Sequence, residues 1–111
     1  MSVQLTDAQL LHYREHGYLV LPDLLSKEEV DAFLECDRQY GDQRPSGLQN
    51  HQSEAPYTAI ARHPNVVGKI RQMIGGSPRM LQTMYMAKAP AGGTGVALHQ
   101  DTHYIRNEPN T

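Results

Sequence analysis

Residues 79–104, RMLQTMYMAKAPAGGTGVALHQDTHY, constrain the fold more than any other stretch of the chain. In the first half the side chains alternate in chemistry. Met80, Gln82, Met84, Met86 and Lys88 fall on one face of an extended backbone, and Leu81, Thr83, Tyr85 and Ala87 on the other. A period of two is the signature of a strand. Pro90 and the run Ala91, Gly92, Gly93, Thr94, Gly95 then interrupt the pattern, and a second extended run starts at Val96. The sequence therefore predicts a hairpin with a loose glycine-rich connection.

The second half of that stretch carries the chemistry. On a strand, His99 and Asp101 leave the same face with Cα atoms roughly 6.6 Å apart. An imidazole nitrogen and a carboxylate oxygen at that spacing can hold adjacent positions on one divalent cation. With a further His they would complete a two-His-one-carboxylate facial triad, whose opposite octahedral face stays open for a co-substrate and O2. Alone, a His-x-Asp triplet is a short motif and equally describes a hydrogen-bonded or solvated pair.

The remainder of the chain reads as helices. Thr6 and Gln9 have capping-box spacing and Gly17 suits a left-handed terminator, which predicts a helix over Asp7–His16. His12 and His16, four apart on it, read as solvated side chains. Residues 18–21 form a short apolar run stopped by Pro22, a pattern for a buried strand. Ser26 and Glu29 repeat the capping-box spacing, with Val30, Phe33 and Leu34 as an apolar stripe, so a second helix is expected over Lys27–Tyr40. Residues 41–56, GDQRPSGLQNHQSEAP, offer little to bury and are either a mobile linker or a loop over a site, with His51 and Arg44 as possible substrate contacts. Pro64 opens a last helix, whose apolar face of Val66, Val67, Ile70, Met73 and Ile74 ends at Gly75 and Gly76.

Composition excludes several classes. Ten basic against twelve acidic residues leave a net charge of −2 with no basic cluster, which points away from nucleic acid and from anionic membrane surfaces. One cysteine, Cys36, rules out an internal disulfide and reads as a small side chain within a helix. The amino terminus has neither the basic start nor the apolar core of a secretory signal, and no stretch reaches the ~18 apolar residues of a membrane span, so a cytoplasmic protein is expected.

Taken together, the early GYLVLPDLLSKEEV, the helix ending in MIGG, the strand pattern LQTMYMAKAP and LHQDTHY resemble the amino-terminal part of the phytanoyl-CoA dioxygenase family. The resemblance covers nearly the whole chain. It implies an α+β fold, in which amino-terminal helices precede the first strands of a double-stranded β-helix, or jelly roll, with residues 1–111 forming the front of one domain. It also implies an Fe(II)- and 2-oxoglutarate-dependent dioxygenase that hydroxylates an unactivated C–H bond of a small organic or acyl-CoA-type substrate. By position, His99 and Asp101 become iron ligands, while Met84 and Gln82 face the 2-oxoglutarate cavity. No catalytic residue beyond the metal ligands is assigned.

His103 invites reading as a third ligand. Along a regular strand it lies roughly 13 Å from His99, too far to share an ion without a sharp bend, so His103 and Tyr104 are expected in the pocket wall. Only ten residues follow Asp101, and His103 is the last histidine. The distal iron-binding His and the Arg that pairs with 2-oxoglutarate in the resembled family have no counterpart. A truncated enzyme, inactive as it stands, is therefore expected, its hairpin left with unpaired edges. Two further readings stay open: a non-catalytic member that binds or completes a partner, and a Zn2+ site, which would want a closed set of four ligands. Substrate identity and oligomeric state are not encoded in these residues.

Overall fold

A computed structural model of the chain describes residues 4–106 and 108. Among these residues five α-helices and two 3-10 turns follow one another: α1 Asp7–His16, α2 Lys27–Tyr40, a turn at Gly41–Gln43, α3 Asn50–Ser53, α4 Ala55–Ala61, α5 Pro64–Ile74, and a turn at Asp101–His103.

Three of these helices begin and end where their caps dictate. In α1 the Thr6 hydroxyl accepts the Gln9 amide and the Gln9 side chain accepts the Thr6 amide, and Gly17 closes the helix at φ 78°. Ser26 and Glu29 make the same reciprocal pair at the start of α2. On its solvent side, Lys27 pairs with Asp31 and Arg38 with Glu35, one turn apart. α5 starts at Pro64, which lacks the amide a first-turn residue would leave unbonded, and ends at Gly75 in the left-handed region.

The helices are tied at a few polar points. The Leu5 amide donates to Gln72 Oε1 at 2.9 Å, holding the entry to α1 against α5. His63 joins α2 to α5: its Nε2 meets Glu29 Oε1 at 2.7 Å, while its Nδ1 accepts the Asn65 amide at 3.1 Å and caps α5. Glu29 thus serves two helices, and the Ser26 amide, followed by His63, holds its carboxyl below the usual range. The helix α4 was not expected from the sequence, which placed residues 41–56 in a structureless run. There a 3-10 turn and α3 form instead, and α4 begins at Ala55 with Pro56 in its first turn.

The expected strands are not formed: the described residues contain none. Residues 18–21 are irregular, and Tyr18 and Val20 remain 58% and 73% exposed rather than buried. Residues 79–89 and 93–100 are likewise irregular, with Lys88 Nζ donating to the Thr94 carbonyl across the glycine-rich turn. The physical reason is that alternation specifies a face, whereas a strand exists only through a ladder, and no partner strand lies among the described residues.

The core is correspondingly thin. Leu5 and Tyr57 are the buried apolar side chains and Asn50 and His51 the buried polar ones among the described residues. The chain exposes 9101 Å2, against about 6100 Å2 for a compact protein of its 12.4 kDa. Its radius of gyration is 15.8 Å, where about 13 Å is usual for this length.

Candidate metal centre

Without a ladder, residues 79–85 are held against the segment around α3 by isolated hydrogen bonds. The Thr83 amide donates to the Leu48 carbonyl at 2.9 Å, and Gln49 Nε2 donates to the Leu81 carbonyl at 2.9 Å. The Thr83 hydroxyl accepts the His51 amide at 3.2 Å and faces His51 Nδ1 at 3.0 Å. His51 is therefore buried, with its amide and Nδ1 both at the Thr83 hydroxyl. Arg44, the other residue expected near substrate, pairs with Asp37 through two hydrogen bonds, one of them 2.8 Å from the Asp37 Oδ2, and lies over the Tyr85 ring at 4.6 Å. The Arg44 guanidinium holds the Asp37 carboxyl below its ordinary range.

Met84 lines a cavity of about 210 Å3 together with Met80, Phe33, Tyr57, Ile60 and Val66, and is itself 54% exposed. Thr83 and Tyr85 line the same cavity, so the two faces expected from strand alternation are not separated here. Gln82 is half-buried. Among the described residues no hydrogen bond or ring contact joins Gln82 or Met84 to His99 or Asp101.

His99 and Asp101 do come together. The intervening Gln100 is extended, at φ −111° and ψ 134°, which directs its two neighbours to one side. His99 Nδ1–H donates to the Ala97 carbonyl at 2.7 Å, and Nε2 lies 3.2 Å from Asp101 Oδ1. With Nδ1 donating to Ala97, Nε2 can meet the carboxylate oxygen in two ways: as the N–H of an imidazolium, or as a lone pair with a cation shared between them. The Ala97 carbonyl first, and the Asp101 carboxylate second, push the pKa of His99 up. A divalent metal satisfies the same geometry. Donors about 2.1 Å from an ion, in adjacent octahedral positions, sit roughly 3.0 Å apart. A backbone carbonyl on the far ring nitrogen is the usual second support of a metal-bound His. Both side chains are open to solvent, at 38% and 78% exposure.

After Asp101 the chain turns sharply. The Tyr104 and Ile105 amides both donate to the Asp101 carbonyl, at 2.9 and 2.7 Å, and the Tyr104 ring stands edge-on to His99 at 5.8 Å and to His103 at 4.8 Å. The regular strand assumed in placing His103 13 Å from His99 is thus replaced by a bend. Even so, no group of three His, Cys, Asp or Glu that could hold a metal converges among the described residues. Sequence reasoning missed the Thr83–His51 and Glu29–His63 bonds, whose partners lie 32 and 34 residues apart. No local signal marks such pairs.

The chain is 31% identical, over a 128-residue alignment, to a methylphosphonate hydroxylase of Gimesia maris, covering 96% of this chain and 49% of that protein. It spans about half the length of the curated relative it matches. No solved structure matches it. Residues 13–111 match the phytanoyl-CoA dioxygenase family, and the chain belongs to that family of oxygenases.

Proposed function

We propose that this chain is the amino-terminal part of an Fe(II)- and 2-oxoglutarate-dependent dioxygenase that hydroxylates an unactivated C–H bond of a small organic or acyl-CoA-type substrate. The observation that carries the reading is the His99–Asp101 pair, with Nε2 and Oδ1 at cis-ligand spacing and Nδ1 tied to Ala97. Family membership supports it, and the methylphosphonate hydroxylase is by its name an enzyme that hydroxylates a small molecule. Residues 80–104 are, in this reading, the first strands of a jelly roll, ordered once further strands pair with them.

Bound Fe(II), with 2-oxoglutarate and O2, supplies the oxidising power. The protein's part is orientation. His99 offers a neutral nitrogen whose ring is fixed by Ala97, Asp101 offsets part of the ion's charge, and the Tyr104 ring shields one side of His99. Met84 and Gln82 are proposed to contact 2-oxoglutarate. Two ligands leave an ion largely hydrated, so these 111 residues alone are expected to bind metal weakly and to form negligible succinate.

The test is equilibrium dialysis against Mn2+, a redox-stable substitute for Fe(II), with wild type, His99→Ala and Asp101→Ala. Each substitution should weaken binding at least about tenfold, as removal of a chelating partner does. Binding undiminished in both variants would sink the assignment. Steady conversion of 2-oxoglutarate to succinate by the wild-type chain would show that no further protein groups are needed.

A further inference from the structure

α1 holds two imidazoles that the oxygenase reading does not use. His12 and His16 are one turn apart, and their ring centroids lie 4.5 Å from each other at 42°. Tyr18 closes one side, edge-on to His12 at 5.1 Å and tilted against His16 at 6.4 Å. Among the described residues no hydrogen bond or ion pair engages a nitrogen of either ring, so each neutral ring keeps one unprotonated nitrogen as a candidate donor. His16 is exposed and His12 half-buried, so an ion can reach them from solvent. They also occupy the carboxyl-terminal half of the helix, whose unsatisfied carbonyls favour a cation.

We propose that His12 and His16 form a transition-metal site, one nitrogen from each ring binding Cu2+ or Ni2+ with water completing the shell. Histidines four apart on one helical face are a known way to hold a metal. The choice of ion follows from the donors. Imidazole suits Cu2+ and Ni2+, which accept a tetragonal shell of nitrogen and water and stand high in the affinity order of the divalent ions. Zinc would want a closed tetrahedron, and no third His, Cys, Asp or Glu converges here among the described residues. The His99–Asp101 pair differs in kind, since one of its two donors is a carboxylate oxygen, a ligand that also suits Mn2+. The α1 site does not depend on the oxygenase reading.

Titration of the 111-residue chain with Ni2+, followed by its imidazole NMR signals, tests the proposal. The signals of His12 and His16 should be lost first. His16→Ala, at an exposed position, and His12→Gln should each lower, at least about tenfold, the Ni2+ affinity read from the remaining α1 imidazole with unchanged helical circular dichroism, while His99→Ala leaves the affinity read at His12 and His16 unchanged. An affinity untouched by both α1 substitutions, or one that falls with His99→Ala instead, would overturn it.

Discussion

Thr83 anchors the 79–85 segment through one hydroxyl that meets both the amide and the Nδ1 of buried His51. Thr83→Val keeps the shape and removes both bonds, leaving buried polar atoms unpaired. A loss of about 1–3 kcal/mol is expected, with Thr83→Ser close to wild type. Urea denaturation and exchange of the His51 amide would show it; an unchanged midpoint and unchanged exchange would contradict it. The Asp37–Arg44 pair carries a pH dependence. Because Arg44 lowers the folded-state pKa of Asp37, the bond adds stability that is fully present above the ordinary carboxylate value and fades as pH falls through the lowered one. As pH falls through that lowered value, below the ordinary carboxylate range, the Arg44 guanidinium should lose its hold, and with it its position over Tyr85. Tyr85 ring shifts followed by NMR should show an acid transition that Asp37→Asn removes. His51 and Arg44 were legible in the sequence as noteworthy residues of a polar segment, but not their roles. A buried hydrogen bond to a residue 32 positions away leaves no local trace.

At the scale of elements, what the sequence revealed was whatever local chemistry decides. Thr6 with Gln9, Ser26 with Glu29, and Pro64 with Gly75 place α1, α2 and α5 to the residue, because a cap is made within one turn. α4 escaped notice, although Tyr57, Ile60 and Ala61 have helical spacing, because the polar stretch before it masked the short pattern. The strands failed for the opposite reason, since a ladder is non-local. His63 gives a prediction at this scale. It caps α5 and donates to the carboxylate that closes the α2 capping box, so His63→Ala should destabilise the chain by about 1–2 kcal/mol. Gly17→Ala should cost about 1–2 kcal/mol, because α1 ends there at φ 78°. Thermal melts followed at the helical circular-dichroism band check both. A melting temperature unmoved by His63→Ala would mean that the bridge between α2 and α5 does not form.

For the molecule as a whole, apolar surface and candidate chemistry lie in the same stretch. Met80, Met84, Met86, Val96, Leu98 and Tyr104 are all exposed along the chain that carries His99 and Asp101. Among the described residues no helix is long and apolar enough to cross a membrane, so a bilayer-spanning helix does not account for that surface. The expected jelly roll would cover it, and in that setting the solvent-open His99 and Asp101 side chains would be enclosed. The pair itself was readable from three residues because two-residue spacing holds for any extended backbone, laddered or not. What surrounds it was not, since pocket walls are assembled from distant parts of a chain. The most direct measurement is an anaerobic Fe(II) titration of the 111-residue chain, with paramagnetic broadening followed at each imidazole. The account requires the His99 signals to broaden in the wild type and to stay sharp at the same Fe(II) concentration in Asp101→Ala. Broadening of His99 that survives Asp101→Ala unchanged, or that appears only at His12 and His16, would contradict it.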